Sequence, residues 1–113
     1  MLKLVDAFPS LAKELSQWLR EADQDLLAEQ IDHAVIVRVT FDNAANAGYI
    51  YIEPSQLLTV VESDLVEEGQ GESIAVGTQY WTNIDTDNLG RIVRIEILDP
   101  RDLKPELKKL STS

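Results

Sequence analysis

The sequence predicts an α+β fold in which an N-terminal helix packs on a four- to five-stranded, mainly antiparallel sheet. Two features of the pattern support this. Apolar residues recur every three to four positions in the first part of the chain, and from Ala34 onward they alternate with polar residues. The alternating stretches are joined by short connections, which are typical of antiparallel neighbours. A small sheet needs a cover for its apolar face, and we expect the helix to supply it.

The first element is a predicted helix that spans residues 9–30. Pro9 suits the first helical turn, because the amide that proline lacks would have no partner within the helix there. Ser10 is an alternative N-cap. Acidic and amide side chains occupy the opposite face, so we expect the apolar stripe to pack into the core. The stripe consists of Phe8, Leu11, Leu15, Trp18, Leu19, Ala22 and Leu26.

Three strands are predicted next, at residues 34–41, 48–53 and 57–62. The turn-forming stretch DNAANAG connects the first strand to the second, and Pro54 ends the second. Strict alternation in the first strand predicts two faces. One face carries Val35, Val37, Val39 and Phe41, and the other carries Ile36, Arg38 and Thr40.

The last two strands are predicted at residues 75–85 and 91–98. The acidic stretch SDLVEEGQGE precedes the first of these and is predicted to be a mobile loop. Alternation in the final strand places Val93, Ile95 and Ile97 on one face. Residues 101–113 are predicted to form a short helical turn or a frayed tail.

Composition excludes several classes of protein. The chain has 113 residues, of which 44% are apolar, so we expect one domain, 1–113, with a single core. The absence of cysteine excludes disulfides, thiolate metal sites and thiol nucleophiles. No apolar run approaches the ~20 residues that span a bilayer, and the first residues lack the apolar core of a signal peptide. We therefore expect a cytoplasmic protein without a membrane partner.

The net charge of −10 is unevenly distributed along the chain. Residues 1–100 carry eighteen acidic and six basic groups, whereas residues 101–113 carry two acidic and four basic groups. Such an acidic body repels phosphate backbones, so we expect no nucleic-acid partner. A basic protein would be steered toward it, although acidity also serves solubility alone.

One stretch, DTDNLGRIVRIE, resembles a calcium-binding loop. It matches the loop pattern at Asp85, Asp87, Gly90 and Glu96 but has Leu89 at the fifth position, where an oxygen ligand belongs. Calcium loops of this type lie between two helices, and here both flanks are strand-like. At about 3.3 Å per residue, a strand leaves Glu96 roughly 20 Å of chain beyond Gly90. We therefore predict a hairpin, in which Gly90 supplies the positive φ and Asp85 and Asp87 accept hydrogen bonds from turn amides.

Two segments, FDNAANAGYIYI and NIDTDNLGRIVRIEIL, together resemble a small bacterial family of unknown function, DUF 2283. The matching residues are Asp42, Tyr49, Ile50, Asp85, Asp87, Gly90, Ile92, Val93, Ile95, Glu96, Ile97 and Leu98. The chain departs from the pattern at Phe41, Asn46, Gly48 and Arg94, where the family has Tyr, Asp, Leu and Gly. The resemblance covers about half of the chain and leaves out the N-terminal helix and the acidic loop.

The resemblance implies a small sheet in which the first hairpin and the last strand are neighbours. It implies no established chemistry. Members of the family are small, soluble and bacterial, and some look like the neutralising half of two-component toxin systems. If Asp42 and Glu96 share a role across the family, the resemblance is as consistent with capping of turns as with a functional role.

The sequence contains no recognisable catalytic constellation. His33 is the only histidine, and without a second histidine or a thiol it forms neither a metal site nor a nucleophile–base pair. The glycines near the acidic loop are scattered and form no phosphate-binding motif. With twenty acidic residues, some carboxylates lie close together by chance, so such a pair is weak evidence for a hydrolase. We expect neither enzymatic activity nor a cofactor.

Two functional hypotheses follow from the side chains. The first is a non-enzymatic protein-interaction module with an antitoxin- or immunity-like role. Its partner would be a different protein that carries basic groups, or a second copy of the chain. Its expected surface is an aromatic patch with an acidic neighbour, formed by Tyr49, Tyr51, Tyr80, Trp81 and Glu53. The alternative is a carboxylate-lined site for a small ligand or a divalent cation. That site would be formed by Asp42, Asp85, Asp87 and Glu96.

Overall fold

The computed structural model describes residues 1–55 and 71–111. The strand predicted at residues 57–62 lies outside the described residues, as does most of the predicted acidic loop. A 3-10 turn, Arg101–Leu103, precedes the last helix. The elements in chain order are β1 (Leu2–Lys3), α1 (Leu4–Ala7), α2 (Pro9–Glu21), α3 (Asp25–His33), β2 (Val35–Asp42), β3 (Ala47–Ile52), β4 (Ser73–Gly77), β5 (Trp81–Thr86), β6 (Ile92–Leu98) and α4 (Lys104–Ser111).

The strands of the described residues form one antiparallel sheet in the order β1-β2-β3-β6-β5-β4. The α+β prediction is confirmed, with six strands where the sequence predicts four to five. One extra strand is the short β1, which pairs with the start of β2 through Leu2 and Ile36. β3 pairs with β6, so the first hairpin and the last strand are neighbours.

The helices of the described residues cover one face of this sheet. The core between them is formed by leucines of α1 and α2, by Ile31 of α3, and by isoleucines of β3, β5 and β6. Gly48 and Ile50 alternate along β3 and both face this core. A Cβ added at Gly48 would lie 2.6 Å from Leu107 of α4, so α4 packs on the same face as the other helices. Glycine at this position makes room for the leucine.

The predicted helix at residues 9–30 is broken into α2 and α3. Asp23 adopts a positive φ of 61°, two residues after the end of α2. The amide of Gln24 donates to the carbonyl of Leu19 (2.7 Å), and the amide of Asp23 donates to that of Arg20 (3.2 Å). This pair of bonds is the Schellman arrangement that ends helices. The break redirects α3, so Leu26, predicted in the core, is 67% exposed.

Two β-bulges change the faces that strict alternation predicts. The register of β2 shifts between Ile36 and Arg38, so Ile36 joins Val39 in the core and Val37 is 61% exposed. The register of β6 shifts where Asp85 and Thr86 pair with Arg94 and Ile92, which leaves Val93 as the extra residue. A bulge places two consecutive residues on the same side of a strand. The predictions that Val37 shares a face with Val39, and that Val93 shares one with Ile95, were therefore wrong.

The predicted strand at residues 75–85 is a hairpin of β4 and β5 rather than one strand. The amide of Tyr80 donates to Oγ1 of Thr78 (3.0 Å), and Thr82 Oγ1 donates to the carbonyl of Val76 (2.9 Å). These threonine bonds stabilise the turn, because hydroxyl groups readily satisfy nearby backbone groups. Within the tail predicted at 101–113, residues 101–111 are the 3-10 turn followed by α4, whose Leu107 is fully buried.

Candidate functional site

The face of the sheet opposite the helices is not covered by any helix of the described residues. Because successive side chains of a strand point to opposite faces, most polar side chains of β2, β3, β5 and β6 lie on this side. Thr82 and Thr86 of β5 are instead buried on the other side. We call this surface the open face. It is defined by Arg38, Tyr49, Tyr51, Trp81, Asn83, Asp85, Arg94 and Glu96.

The central row of the open face crosses four strands. In the register of the sheet, Arg38 of β2 lies opposite Tyr51 of β3, and Tyr51 lies opposite Arg94 of β6. Arg94 in turn lies opposite Asp85 of β5. The Cζ atom of Arg38 lies 4.3 Å from the centre of the Tyr51 ring. On the other side, Nε of Arg94 donates to Oδ2 of Asp85 at 2.7 Å. The row therefore holds two guanidinium groups, one phenol and one carboxylate.

A second row lies beside it and contains Tyr49, Glu96 and Asn83. Nδ2 of Asn83 donates to Oε1 of Glu96 at 3.1 Å. The Cζ atom of Arg94 is 5.2 Å from the centre of the Tyr49 ring, so this arginine links the two rows. The polar groups of both rows thus fix one another's positions.

The two tyrosines of the open face have pKa values shifted in opposite directions. Burial raises the pKa of Tyr49, and the negative charge of Glu96 acts in the same direction. Burial also acts to raise the pKa of Tyr51, but hydrogen bonds from Arg94 and Arg38 outweigh it and lower that pKa below its ordinary value. The centre of the open face therefore stabilises negative charge at the Tyr51 oxygen.

The predicted aromatic patch is only partly assembled. Tyr49 and Tyr51 are half-buried on the open face, and Trp81 on the same face is 76% exposed. Tyr80 is instead 2% exposed, and its hydroxyl donates to Oδ1 of Asp102 at 2.6 Å. Glu53 is exposed just beyond the end of β3. Consecutive residues such as Tyr80 and Trp81 point to opposite sides of a strand, a signal in the sequence that would have separated them.

The four predicted ligand carboxylates are each engaged separately. Oδ1 of Asp42 accepts hydrogen bonds from the amides of Ala44 and Ala45, at 3.0 and 3.2 Å, in the turn after β2. Asp85 and Glu96 have the partners described above on the open face. Among the described residues, no group of three or more His, Cys, Asp or Glu is placed to hold a metal ion.

The fourth carboxylate, Asp87, stabilises the turn between β5 and β6. Its Oδ1 accepts from the amides of Leu89 and Arg91, both at 2.9 Å, and its Oδ2 accepts from Nε of Arg91 at 2.8 Å. Gly90 has the predicted positive φ, 80°, and the chain continues as the strand β6. The hairpin prediction is confirmed for Asp87 and Gly90. Asp85, assigned to the same turn by the sequence, accepts its hydrogen bond from Arg94 instead.

Sequence reasoning missed both arginines of the open face and one buried amide. Arg38 and Arg94 occupy strand positions on the same face as the tyrosines, a signal that alternation offered. Gln30 is 3% exposed, and its Nε2 donates to the carbonyl of Gly90 (3.0 Å) while its Oε1 accepts from the amide of Ile92 (2.8 Å). Gln30 thereby joins α3 to the β5–β6 turn. Its place between apolar residues of a helix was the only signal available.

Two depressions are relevant to a small-molecule site. One of about 420 Å³ lies beside the open face and is lined in part by Tyr51, Asp85 and Arg94. Another of about 640 Å³ lies on the outer side of the helices, where Arg20 donates to Asp32 at 2.8 Å.

No protein-family model matches the chain, and no curated protein or solved structure matches it either. Within residues 1–55 and 71–111, no helix is both long and apolar enough to cross a membrane.

Proposed function

We propose that this chain is a non-enzymatic protein-interaction module that binds another protein through the open face of its sheet. The supporting observation is Trp81, which is 76% exposed on a face that also presents two tyrosines. Tryptophan and tyrosine are enriched at protein interfaces. Covering the exposed part of the indole removes roughly 150 Å² from water, worth about 3–4 kcal/mol before the costs of association.

The charged groups of the open face suit a surface that becomes covered. Asp85 is paired with Arg94, and Glu96 accepts from Asn83, so these groups keep hydrogen-bond partners when water is excluded. Their mutual bonds also fix the side chains before binding, which lowers the entropy lost on association. The face is thus preorganised around its aromatic residues.

The overall charge favours a different protein over a second copy of the chain. Two copies with a net charge of −10 each repel one another, whereas a basic protein is attracted. An antitoxin- or immunity-like role fits such a partner and agrees with the resemblance to DUF 2283. The carboxylate-lined ligand site is not proposed, because its four carboxylates are engaged at separate positions of the described structure.

The proposal is tested by affinity capture from lysate of the source organism with matched variants. Trp81→Ser removes the exposed aromatic group of the open face, and Leu26→Ser removes an equally exposed apolar group from the helical side. We expect one stoichiometric partner that is recovered by the wild type and by Leu26→Ser but lost with Trp81→Ser. Hydrogen exchange of the recovered complex is expected to slow in β3, β5 and β6.

Three outcomes would contradict the proposal. One is that no stoichiometric partner is recovered at either low or moderate salt. Another is that Trp81→Ser retains the partner as well as the wild type does. The third is a wild-type dimer in light scattering that becomes a monomer in Trp81→Ser, which would assign the open face to a second copy.

A further inference from the structure

The central row of the open face sets one phenol between two guanidinium groups. Tyr51 on β3 has Arg38 opposite it on β2 and Arg94 opposite it on β6. Adjacent strands lie about 4.8 Å apart, so the two arginines start roughly 10 Å apart and converge on the tyrosine between them. Arg38 stacks on the ring at 4.3 Å. Arg94 lies beside Tyr51 on the neighbouring strand and forms an ion pair with Asp85.

The charges of this row do not balance. Arg94 is paired with Asp85 at 2.7 Å. Arg38 is exposed, and no carboxylate of the described residues lies within ion-pair distance of it. Within this row, Arg38 is therefore a guanidinium group without an ion-pair partner among the described residues, although the chain as a whole carries −10.

We propose that the partner inserts one acidic side chain, an aspartate or glutamate, between Arg38 and Arg94 above Tyr51. The planar guanidinium group of Arg38 matches the geometry of a carboxylate and can donate two parallel hydrogen bonds to it. Tyr51 lies on the strand between the two arginines, and its O–H can donate to the incoming carboxylate. The inference rests on the proposed function and specifies what the partner presents to the centre of the face.

Two further observations support a carboxylate at this position. The lowered pKa of Tyr51 shows that its surroundings stabilise negative charge. The stacking of Arg38 on Tyr51 holds the guanidinium group in place, so less side-chain entropy is lost when it binds. A single acidic group would fix the orientation of a partner that is otherwise attracted by the overall negative charge.

The experiment is an NMR titration of the intact protein with N-acetyl-tetraglutamate amide at low salt. We expect shifts at the Nε–Hε groups of Arg38 and Arg94 and at the amide of Tyr51. For Arg38→Gln, we expect the dissociation constant of the glutamate peptide to be at least tenfold higher than for the wild type. In the control Arg20→Gln, which removes an arginine of the helical side, we expect no change. Arg38→Lys keeps the charge without the planar fork, and we expect it to recover only part of the affinity.

Further arms of the titration identify the source of the anion. Tetraglutamine and tetralysine peptides are expected to leave Arg38 unshifted. Inorganic phosphate that binds more tightly than the glutamate peptide would assign the site to a free anion and overturn the inference. Equal binding of the peptide to wild type and Arg38→Gln would overturn it as well, as would the absence of any shift at Arg38.

Capture of the partner separates this inference from the proposed function. Loss of the partner in both Trp81→Ser and Arg38→Gln supports both. Loss in Trp81→Ser with full recovery in Arg38→Gln overturns the carboxylate site and leaves the interaction surface standing. Full recovery in both variants overturns both.

Discussion

Removal of the Tyr80 hydroxyl tests how the C-terminal segment is held to the sheet. The ring of Tyr80 is buried, and its hydroxyl donates to Asp102 at 2.6 Å in the 3-10 turn that precedes α4. A hydrogen bond to a charged group contributes about 1.5–3 kcal/mol. Because Asp102 is exposed, we expect Tyr80→Phe to lower the free energy of unfolding by about 1–1.5 kcal/mol at pH 7. With a slope of about 1.5 kcal/mol/M, the urea midpoint falls by about 0.7–1 M.

The same hydroxyl predicts a loss of stability at high pH. Burial raises the pKa of Tyr80 to about 12, and the hydrogen bond to Asp102 acts in the same direction. Between the ordinary pKa of 10.0 and about 12, the unfolded chain releases this proton while the folded chain keeps it, so stability falls as the pH rises. Two pKa units correspond to about 2.7 kcal/mol, which is the upper limit of this loss.

Urea unfolding of wild type and Tyr80→Phe at pH 7 and pH 11.5 measures both effects. We expect the variant to be less stable at pH 7 and the difference between the two proteins to shrink at pH 11.5. Absorbance at 295 nm follows tyrosine ionisation and should show Tyr51 titrating first and Tyr80 last. Equal stabilities at pH 7, or three tyrosines that titrate together near pH 10, would refute the reasoning.

Three other predictions concern packing, a buried amide and acid stability. Gly48→Ala places a methyl group against Leu107, so we expect a loss of about 1–3 kcal/mol in urea unfolding. The same change should cost less in a Leu107→Ala background, and strict additivity would contradict the contact. Gln30→Leu leaves the amide of Ile92 without its partner, at a cost of about 1–3 kcal/mol; thermal unfolding unchanged from wild type would count against this bond. Burial acts to raise the pKa of Asp87, but the hydrogen bonds within the turn outweigh burial and lower that pKa below its ordinary value of 3.8. The ionised Asp87 therefore stabilises the fold above pH 3.8, and this stabilisation is lost as the pH falls through the lowered pKa. Acid titration of Asp87→Asn should therefore show a shallower loss of stability than wild type.

The sequence predicts the class of fold well because that class follows from a change of period. Helical spacing before Ala34 and alternation after it are set by which residues must be buried, and apolar burial is the largest favourable contribution to folding. The turn at Gly90 is predicted for a similar reason, since a positive φ carries little cost for glycine alone. The structure bears out both.

The bulges and the helix break are harder to predict because they depend on local compromises. The extra residues at Val37 and Val93 have ordinary strand composition, so only the pairing with neighbouring strands reveals them. The positive φ that follows α2 falls on Asp23, a residue that adopts it at some cost, and no glycine marks the position. Packing of α3 against α1 and α2, with Leu27 and Ile31 buried in the core, compensates for that cost.

The composition of the open face is only partly predictable. Aromatic character alone points to Tyr49, Tyr51 and Trp81, but it also points to Tyr80, whose side chain lies on the other side of the sheet. The arginines that organise the centre of the face do not stand out in a chain with twenty acidic residues. Which carboxylates pair and which cap turns depends on distances across strands, and these distances require the register of the sheet.

The affinity of the recovered partner for wild type and for Trp81→Ala, measured by calorimetry, tests the role of the open face most directly. If Trp81 lies at the centre of the interface, its truncation to alanine should reduce the free energy of binding by about 2 kcal/mol or more. That loss corresponds to a dissociation constant that is about thirtyfold higher. A dissociation constant unchanged by this substitution would contradict the assignment of the open face as the binding surface.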